Sequence, residues 1–349
     1  MSIRGAQTAD APRFDDDARK YDAILVMSFG GPEGMDEVMP FMENVTRGRG
    51  IPRERLMEVS EHYRMFDGVS PINAQNRALI AALETELKEN GLDLPVYFGN
   101  RNWHPMIADT MRQMRDDGVK KAIAFFTSGY SCYSGCRQYR EDIIRAAEAV
   151  EGAPEFDKTR MFYNHPGFIE PMIELTQQAL EQFPESERGD VHLAFTAHSI
   201  PLGMAKHSDY EVQLAEACRL IADGVGNDNY KLVYQSRSGP PHIPWLEPDI
   251  GDYLQEIKTQ GMDKVIIVPV GFISDHMEVM FDLDTEAMEI ADEIGMKLVR
   301  AGTVGIHPKF IGMIRELIVE RMTESPERRA VGQRPANHDV CPLNCCLSG

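Results

Sequence analysis

The sequence lacks an excess of positive charge, a long apolar run, a phosphate-binding glycine motif and a dense set of cysteines. Each absence excludes a class of function. Its 36 Lys and Arg stand against 55 Asp and Glu, a formal net charge of −19. A chain this acidic has no surplus of cations to displace counterions, so it is not expected to bind nucleic acid. No apolar stretch approaches the ~20 residues of a membrane-spanning helix. The N-terminus has no secretory apolar region, and Asp15, Asp16 and Asp17 argue against an acid-poor transit peptide, so a cytoplasmic protein is expected. No GxGxxG follows a strand-like run and no GxxxxGK[ST] occurs, which argues against dinucleotide and P-loop sites. Six cysteines in 349 residues do not make a disulfide scaffold.

What is present is an alternation of short apolar runs with longer helical patterns. Strands are expected at 23–29, 95–99, 121–127, 191–197, 231–235, 264–270 and 297–301, with a weak one at 160–163. Helices are expected at 53–63, 74–90, 105–117, 136–150, 168–183, 209–223, 250–259, 285–294 and 308–322. This alternation implies an α/β protein with parallel sheets flanked by helices. About four strands fall in each half of the chain, dividing near Ala153-Pro154, and the length suits two domains. The expected organisation is a disordered leader over 1–20, one domain over 21–158 and a second over 159–305. A helix over 306–323 packs back on the first domain, and a tail over 324–349 needs help to stay ordered.

Chemistry gathers in three places. The first is 264–286, where a buried strand ends at Gly271 and Ser274-Asp275 offers a cap to a helix carrying Glu278, Asp282 and Glu286. Four-residue spacing puts these carboxylates on one face, where like charges repel by a few tenths of a kcal/mol each, roughly. An acidic face near a helix N-terminus is ordinarily just solvated. Here it follows a strand end, where open α/β sheets place ligands, and a hard cation would suit it. The second is His198 in FTAHSIP (195–201), at the end of another strand. A neutral imidazole beside the Glu278 carboxylate would suit proton abstraction coupled to cation handling. A zinc hydrolase using His198, His276 and Glu278 is the lesser reading, since HExxH is absent. The third is the cysteine set. Cys341, Cys345 and Cys346 crowd the tail, with Cys132 or Cys136 available from the body, and four thiolates could hold zinc or an iron–sulfur cluster.

An ordered series of motifs then resembles the ferrochelatases, which insert ferrous iron into porphyrins. It runs from about residue 21 to 322 and includes LVMSFGGPEG (25–34), ENVTRGRGIP (43–52), HYRMFDGVSPIN (62–73), YFGNRNWHP (97–105), FFTSGYSCYSGCRQYRED (125–142), FTAHSIP, YQSRSGPP (234–241) and GFISDHMEVMFDLDTE (271–286). The resemblance implies two Rossmann-like domains, each a four-stranded parallel sheet, with porphyrin in the cleft between them. It implies His198 and Glu278 as the catalytic pair that handles pyrrole protons and metal. Asp282 and Glu286 become an acidic line leading the metal in, and Phe29, Arg47, Arg49, Ser70 and Tyr130 porphyrin contacts. Phe29 stands where many monomeric bacterial relatives carry Tyr, so a tyrosinate ligand to iron is excluded at that position. The tail resembles cluster-bearing members, implying a [2Fe–2S] centre on Cys136, Cys341, Cys345 and Cys346 with Cys132 spare. Adjacent ligands at 345 and 346 are geometrically demanding. The soluble, cluster-bearing type implies a monomer with coproporphyrin III and ferrous iron as substrates and coproheme as product. Protoporphyrin IX is the alternative substrate, and a non-catalytic haem or iron carrier with a redox-sensing cluster the alternative function.

Overall fold

The computed structural model describes residues 20–240, 242–324 and 326–349. The expected leader therefore lies, apart from Lys20, outside the described residues. The first half contains β1 (Ala23–Ser28), α1 (Met35–Val45), α2 (Arg53–Arg64), α3 (Ile72–Glu89), β2 (Val96–Asn100), α4 (Ile107–Asp116), β3 (Lys121–Phe126), α5 (Gln138–Glu148) and β4 (Glu155–Lys158). The second half contains α6 (Pro166–Leu180), β5 (His192–His198), α7 (Leu202–Ala205), α8 (Tyr210–Val225), β6 (Tyr230–Gln235), α9 (Ile250–Thr259), β7 (Lys264–Val268), α10 (Ala287–Glu293), β8 (Lys297–Arg300) and α11 (Pro308–Met322). A π-helical segment, Val279–Glu286, runs directly into α10.

The strands form two four-stranded parallel sheets, ordered β2-β1-β3-β4 and β6-β5-β7-β8. In each the first strand in sequence lies second in order and pairs on both sides, as Ile24 does with Val96 and Ile123, and Leu193 with Tyr230 and Ile266. All six residues of β1 are buried, as expected of a parallel strand covered by helices on both faces. The chain is thus two doubly wound α/β units, and the carboxyl ends of β1 and β5 sit beside the point where strand order reverses.

One apolar core runs through both units, joining Ile24 and Val26, Leu79 and Leu83, Phe162 and Phe168, Phe195, Ile266, Phe310 and Ile314. Helix α11 packs against both α3 and α6. Polar contacts add to the joint. Tyr130 donates its hydroxyl to the Val270 carbonyl at 2.9 Å, and Ser131 and Gln213 exchange two hydrogen bonds. The fourth strand of the first sheet is Glu155–Lys158, not the expected 160–163. Met161, Phe162 and Tyr163 are buried as a strand would be, but they are loop residues pointing into the core. Arg160, fully buried, instead forms a bidentate pair with Glu320 of α11 at 2.8 and 2.9 Å. Helix α1, which carries Pro40, was not expected.

Residues 326–349 contain no helix or strand. They are tied down by hydrogen bonds to the body: Val331 N–H to the Asn164 carbonyl, Asn164 Nδ2 to the carbonyls of Arg334 and Pro335, Gln333 N–H to Glu216 and Asn337 Nδ2 to Ser131. No helix among the described residues is long and apolar enough to cross a membrane.

His165 caps α6, its Nδ1 accepting from the Gly167 N–H at 3.0 Å. The ring is fully buried, and burial, then Arg160 and Arg329, hold it well down, at about 3. The unfolded chain binds a proton at this ring below about pH 6.5, whereas the folded chain does not, so stability rises with pH through that window. His165→Asn keeps an oxygen to cap the helix and removes this titration. Between about pH 6 and 4 its stability is expected to depend on pH less steeply than wild type by about 1.4 kcal/mol per pH unit. Urea unfolding across that range checks this, and parallel slopes would contradict it.

Candidate active site and metal centre

Strand β5 delivers His198 to its carboxyl end, and β7 leads through Gly271 to the start of the π-helix. Gly271 lies so close to β5 that an added Cβ would sit 2.7 Å from Ala197 Cα, while its N–H donates to the Thr196 carbonyl at 3.0 Å. That contact seats the helix start beside His198. The imidazole Nε2 is 3.6 Å from Glu278 Oε1. Its other nitrogen faces the Ser199 carbonyl, and Tyr210 donates to the His198 carbonyl at 3.0 Å. The two side chains stay 33% and 48% exposed, so both can be reached from solvent.

The helix does not start at the expected Ser274-Asp275 cap. His276 does the capping, its Nδ1 accepting from the Glu278 N–H at 3.2 Å, while Asp275 pairs with Arg300 at 3.2 Å and accepts from Thr303. Burial holds His276 low, consistent with a neutral ring used as an acceptor. The carboxylate stripe then runs along a π-helix rather than an α-helix. Such wide turns recur at functional sites.

The two groups favour each other's charged form. Burial pulls His198 down, but the Glu278 carboxylate and the Ser199 carbonyl outweigh it and raise the ring to about 9. Burial likewise pushes Glu278 up, and His198 outweighs it, leaving the carboxyl at about 2. Farther along, burial and the Glu278 charge push Asp282 up to about 7, and burial with Asp249 raises Glu286. Carboxyls that resist ionising beside one another are a site short of a cation.

Sequence reasoning missed the groups that hold this line in place. Ser236 donates to Asp282 from a left-handed backbone (φ 60°), and Gln235 reaches both Asp282 at 3.3 Å and the Glu278 carbonyl at 3.2 Å. Across the cleft, His62 of α2 stacks on Phe281 with ring centroids 3.8 Å apart, and Gln75 accepts from the Asp275 N–H. Burial, with the Glu278 charge adding to it, raises the Tyr63 hydroxyl.

The expected porphyrin contacts divide. Phe29 is exposed at the end of β1, edge-on to Phe41, which also meets Tyr63 and Trp103. Arg47 and Arg49 are exposed on the loop between α1 and α2. Tyr130 and Ser70 are the enclosed members of the set. Tyr130 is 2% exposed among Tyr163, Phe168 and Tyr210, its hydroxyl donating to the Val270 carbonyl. Ser70 is 4% exposed and packed on Gly31.

The cysteines of the body separate by the turn they sit on. Cys132 caps the Tyr133–Arg137 turn, its sulfur accepting from the Gly135 N–H at 3.1 Å, and faces the core shared by the two units. Cys136 faces the other way, in hydrogen-bonding reach of the Cys341 and Cys346 thiols. Cys345 and Cys346 sulfurs are 3.5 Å apart, which Cys346 allows by taking a left-handed backbone (φ 55°). Thiol hydrogen bonds from Cys136 and Cys345, with His338, lower Cys341 and favour a thiolate there. Arg137 holds the loop through the Leu343 and Cys345 carbonyls. His338, overlooked in the sequence, lies 3.8 Å from the Cys345 sulfur.

The sequence model of the Ferrochelatase family matches residues 21–322. A ferrochelatase from Rhodopirellula baltica is 56% identical over 329 residues, covering 94% of this chain and 93% of its own. A coproporphyrin III ferrochelatase from Streptomyces coelicolor is 50% identical over 353 residues, covering 95% and 94%. Among solved structures, SirB from Bacillus subtilis superimposes with a TM-score of 0.53 at 13% identity, over 86% of this chain and 97% of its own, a likeness of fold. Two doubly wound units, a histidine–carboxylate pair after neighbouring strands of the second sheet and a family match over residues 21–322 lead to one assignment: the chain belongs to the ferrochelatase family of metal chelatases.

Proposed function

We propose that this protein inserts ferrous iron into coproporphyrin III, giving coproheme for haem synthesis. The observation that carries this reading is the His198–Glu278 pair, 3.6 Å apart and partly exposed, with the acidic line of Asp282 and Glu286 behind it. Metallation must release two pyrrole protons as the cation enters, so a base and a cation-holding carboxylate are needed together. In the free site each neutralises the other. Ferrous iron arriving along the acidic line draws on the Glu278 carboxylate, and His198 loses the partner that kept it protonated. The ring then sheds its proton and becomes a competent base.

Phe29 forms part of the wall against the macrocycle, and Arg47 and Arg49 meet propionates. Coproporphyrin, with four propionates, is favoured over protoporphyrin, with two, by the similarity to the coproporphyrin III ferrochelatases of Streptomyces coelicolor and Nocardia farcinica. The working units are 21–158 and 159–305, with 306–323 bridging them and 324–349 as the tail. Cys136, Cys341, Cys345 and Cys346 would hold a [2Fe–2S] cluster. Four convergent thiols suit one, and binding would supply ordering free energy to a tail that has no regular structure. Anaerobic assays with ferrous iron test the substrate. Many turnovers with coproporphyrin III at a kcat/KM at least about tenfold above that with protoporphyrin IX, a difference of about 1.4 kcal/mol, are expected. Turnover of protoporphyrin alone would overturn the substrate and keep the reaction.

A further inference from the structure

The tail centre contains one donor more than the cluster reading uses. The ligand atoms of His338, Cys341 and Cys345 all lie within 4.8 Å of one another, and the Cys346 sulfur is 3.5 Å from that of Cys345. His338 is held in place by its own backbone: its N–H donates to Asn337 Oδ1 at 2.8 Å, and Asn337 is pinned to Ser131 at 2.9 Å. One imidazole and two thiols in His-x2-Cys-x3-Cys order make a donor set suited to a thiophilic divalent ion, with a fourth position left for water. The access side is also defined. His338 is exposed and Cys345 half-buried, whereas Cys341, Cys346 and Cys136 are each 2% exposed. An ion can thus be taken from solvent by His338 and Cys345, with Cys341 closing the group from within and Cys136 not needed.

We propose that the tail, when it carries no iron–sulfur cluster, binds one zinc ion through His338, Cys341 and Cys345. Binding displaces to solvent the protons these donors still hold and leaves a neutral centre of one Zn²⁺ and two thiolates, next to the buried Lys158 and to Arg137. The inference rests on the cluster assignment in one respect. Because Cys341 and Cys345 serve both centres, zinc and cluster exclude each other. His338 belongs to the zinc form and Cys136 to the cluster form.

The test uses the full chain, prepared cluster-free under anaerobic chelation and titrated with zinc against a chromophoric chelator, and with cobalt(II) as a spectroscopic substitute. One zinc per chain and visible tetrahedral cobalt bands with thiolate charge transfer are expected. His338→Ala should weaken zinc at least about tenfold yet retain the cluster absorption when isolated anaerobically. Cys136→Ser should lose the cluster and retain zinc. Native mass spectrometry should show chains carrying zinc or a cluster and never both. Wild-type zinc affinity in His338→Ala, zinc lost in Cys136→Ser but kept in His338→Ala, or both centres on one chain would each overturn the proposal. Failure of the cluster assignment is separate, since it shows as an anaerobically isolated wild-type chain without cluster absorption, whatever the zinc titration gives.

Discussion

Replacing His198 by Ala is expected to lower the turnover of iron insertion by about 10² to 10⁴-fold while leaving porphyrin bound with an affinity close to wild type. On the proposed reading the macrocycle is held over its face and by its propionates, so one imidazole at the end of β5 adds little to ground-state binding. It matters when pyrrole protons leave. Without it Glu278 also loses the partner that lowers its carboxyl. The variant thus loses its base and shifts its cation ligand together. Porphyrin fluorescence separates the two quantities, by titration without iron and by the rate of loss with iron. Unchanged turnover in the variant would remove His198 from the chemistry and favour a carrier that binds haem or iron without catalysis.

The second large effect concerns stability. Glu320→Gln is expected to destabilise the fold by about 3–5 kcal/mol, because it leaves the Arg160 guanidinium buried and without its counter-charge. Arg160 is 1% exposed and Glu320 7%, so water cannot replace the lost carboxylate. The same guanidinium also holds the Arg329 carbonyl at 2.8 Å, so the tail should loosen with it. Replacing both partners by apolar residues of similar volume, Arg160→Met with Glu320→Leu, is expected to recover most of the loss. Urea midpoints of the single and double variants decide the matter. A single-variant loss below about 1 kcal/mol, the range of exposed pairs, would contradict it.

The parts legible in the sequence were those written in short-range patterns. Strands β1, β3, β5 and β7 are continuous apolar runs because both faces of a parallel sheet are covered, and the reactive groups follow from their ends. Strand β4 was misplaced because its sequence, EFDK, reads as polar, while the apolar residues after it serve the core as a loop. Helix α1 was hidden by Pro40, and the π-helix by the fact that four-residue spacing looks the same in either turn. Burial cannot be read from a motif, so the enclosure of Tyr130 and Ser70 was not legible. Nor was the influence of Glu278 on His198, which depends on their folded distance of 3.6 Å. His338 went unnoticed because no sequence pattern says that the tail folds it back onto the thiols.

The most direct test of the account is whether His198 and Glu278 act as one unit. Turnover numbers for His198→Ala, Glu278→Ala and the double variant, with porphyrin binding measured for each, form the cycle. If proton release and cation capture are one coupled event, the double variant should be no worse than the poorer single variant within about threefold, as for groups that work together. Losses that multiply, with the double variant falling by the product of the two single effects, would mean that the residues act independently and that the pair at the cleft is not the centre of the reaction.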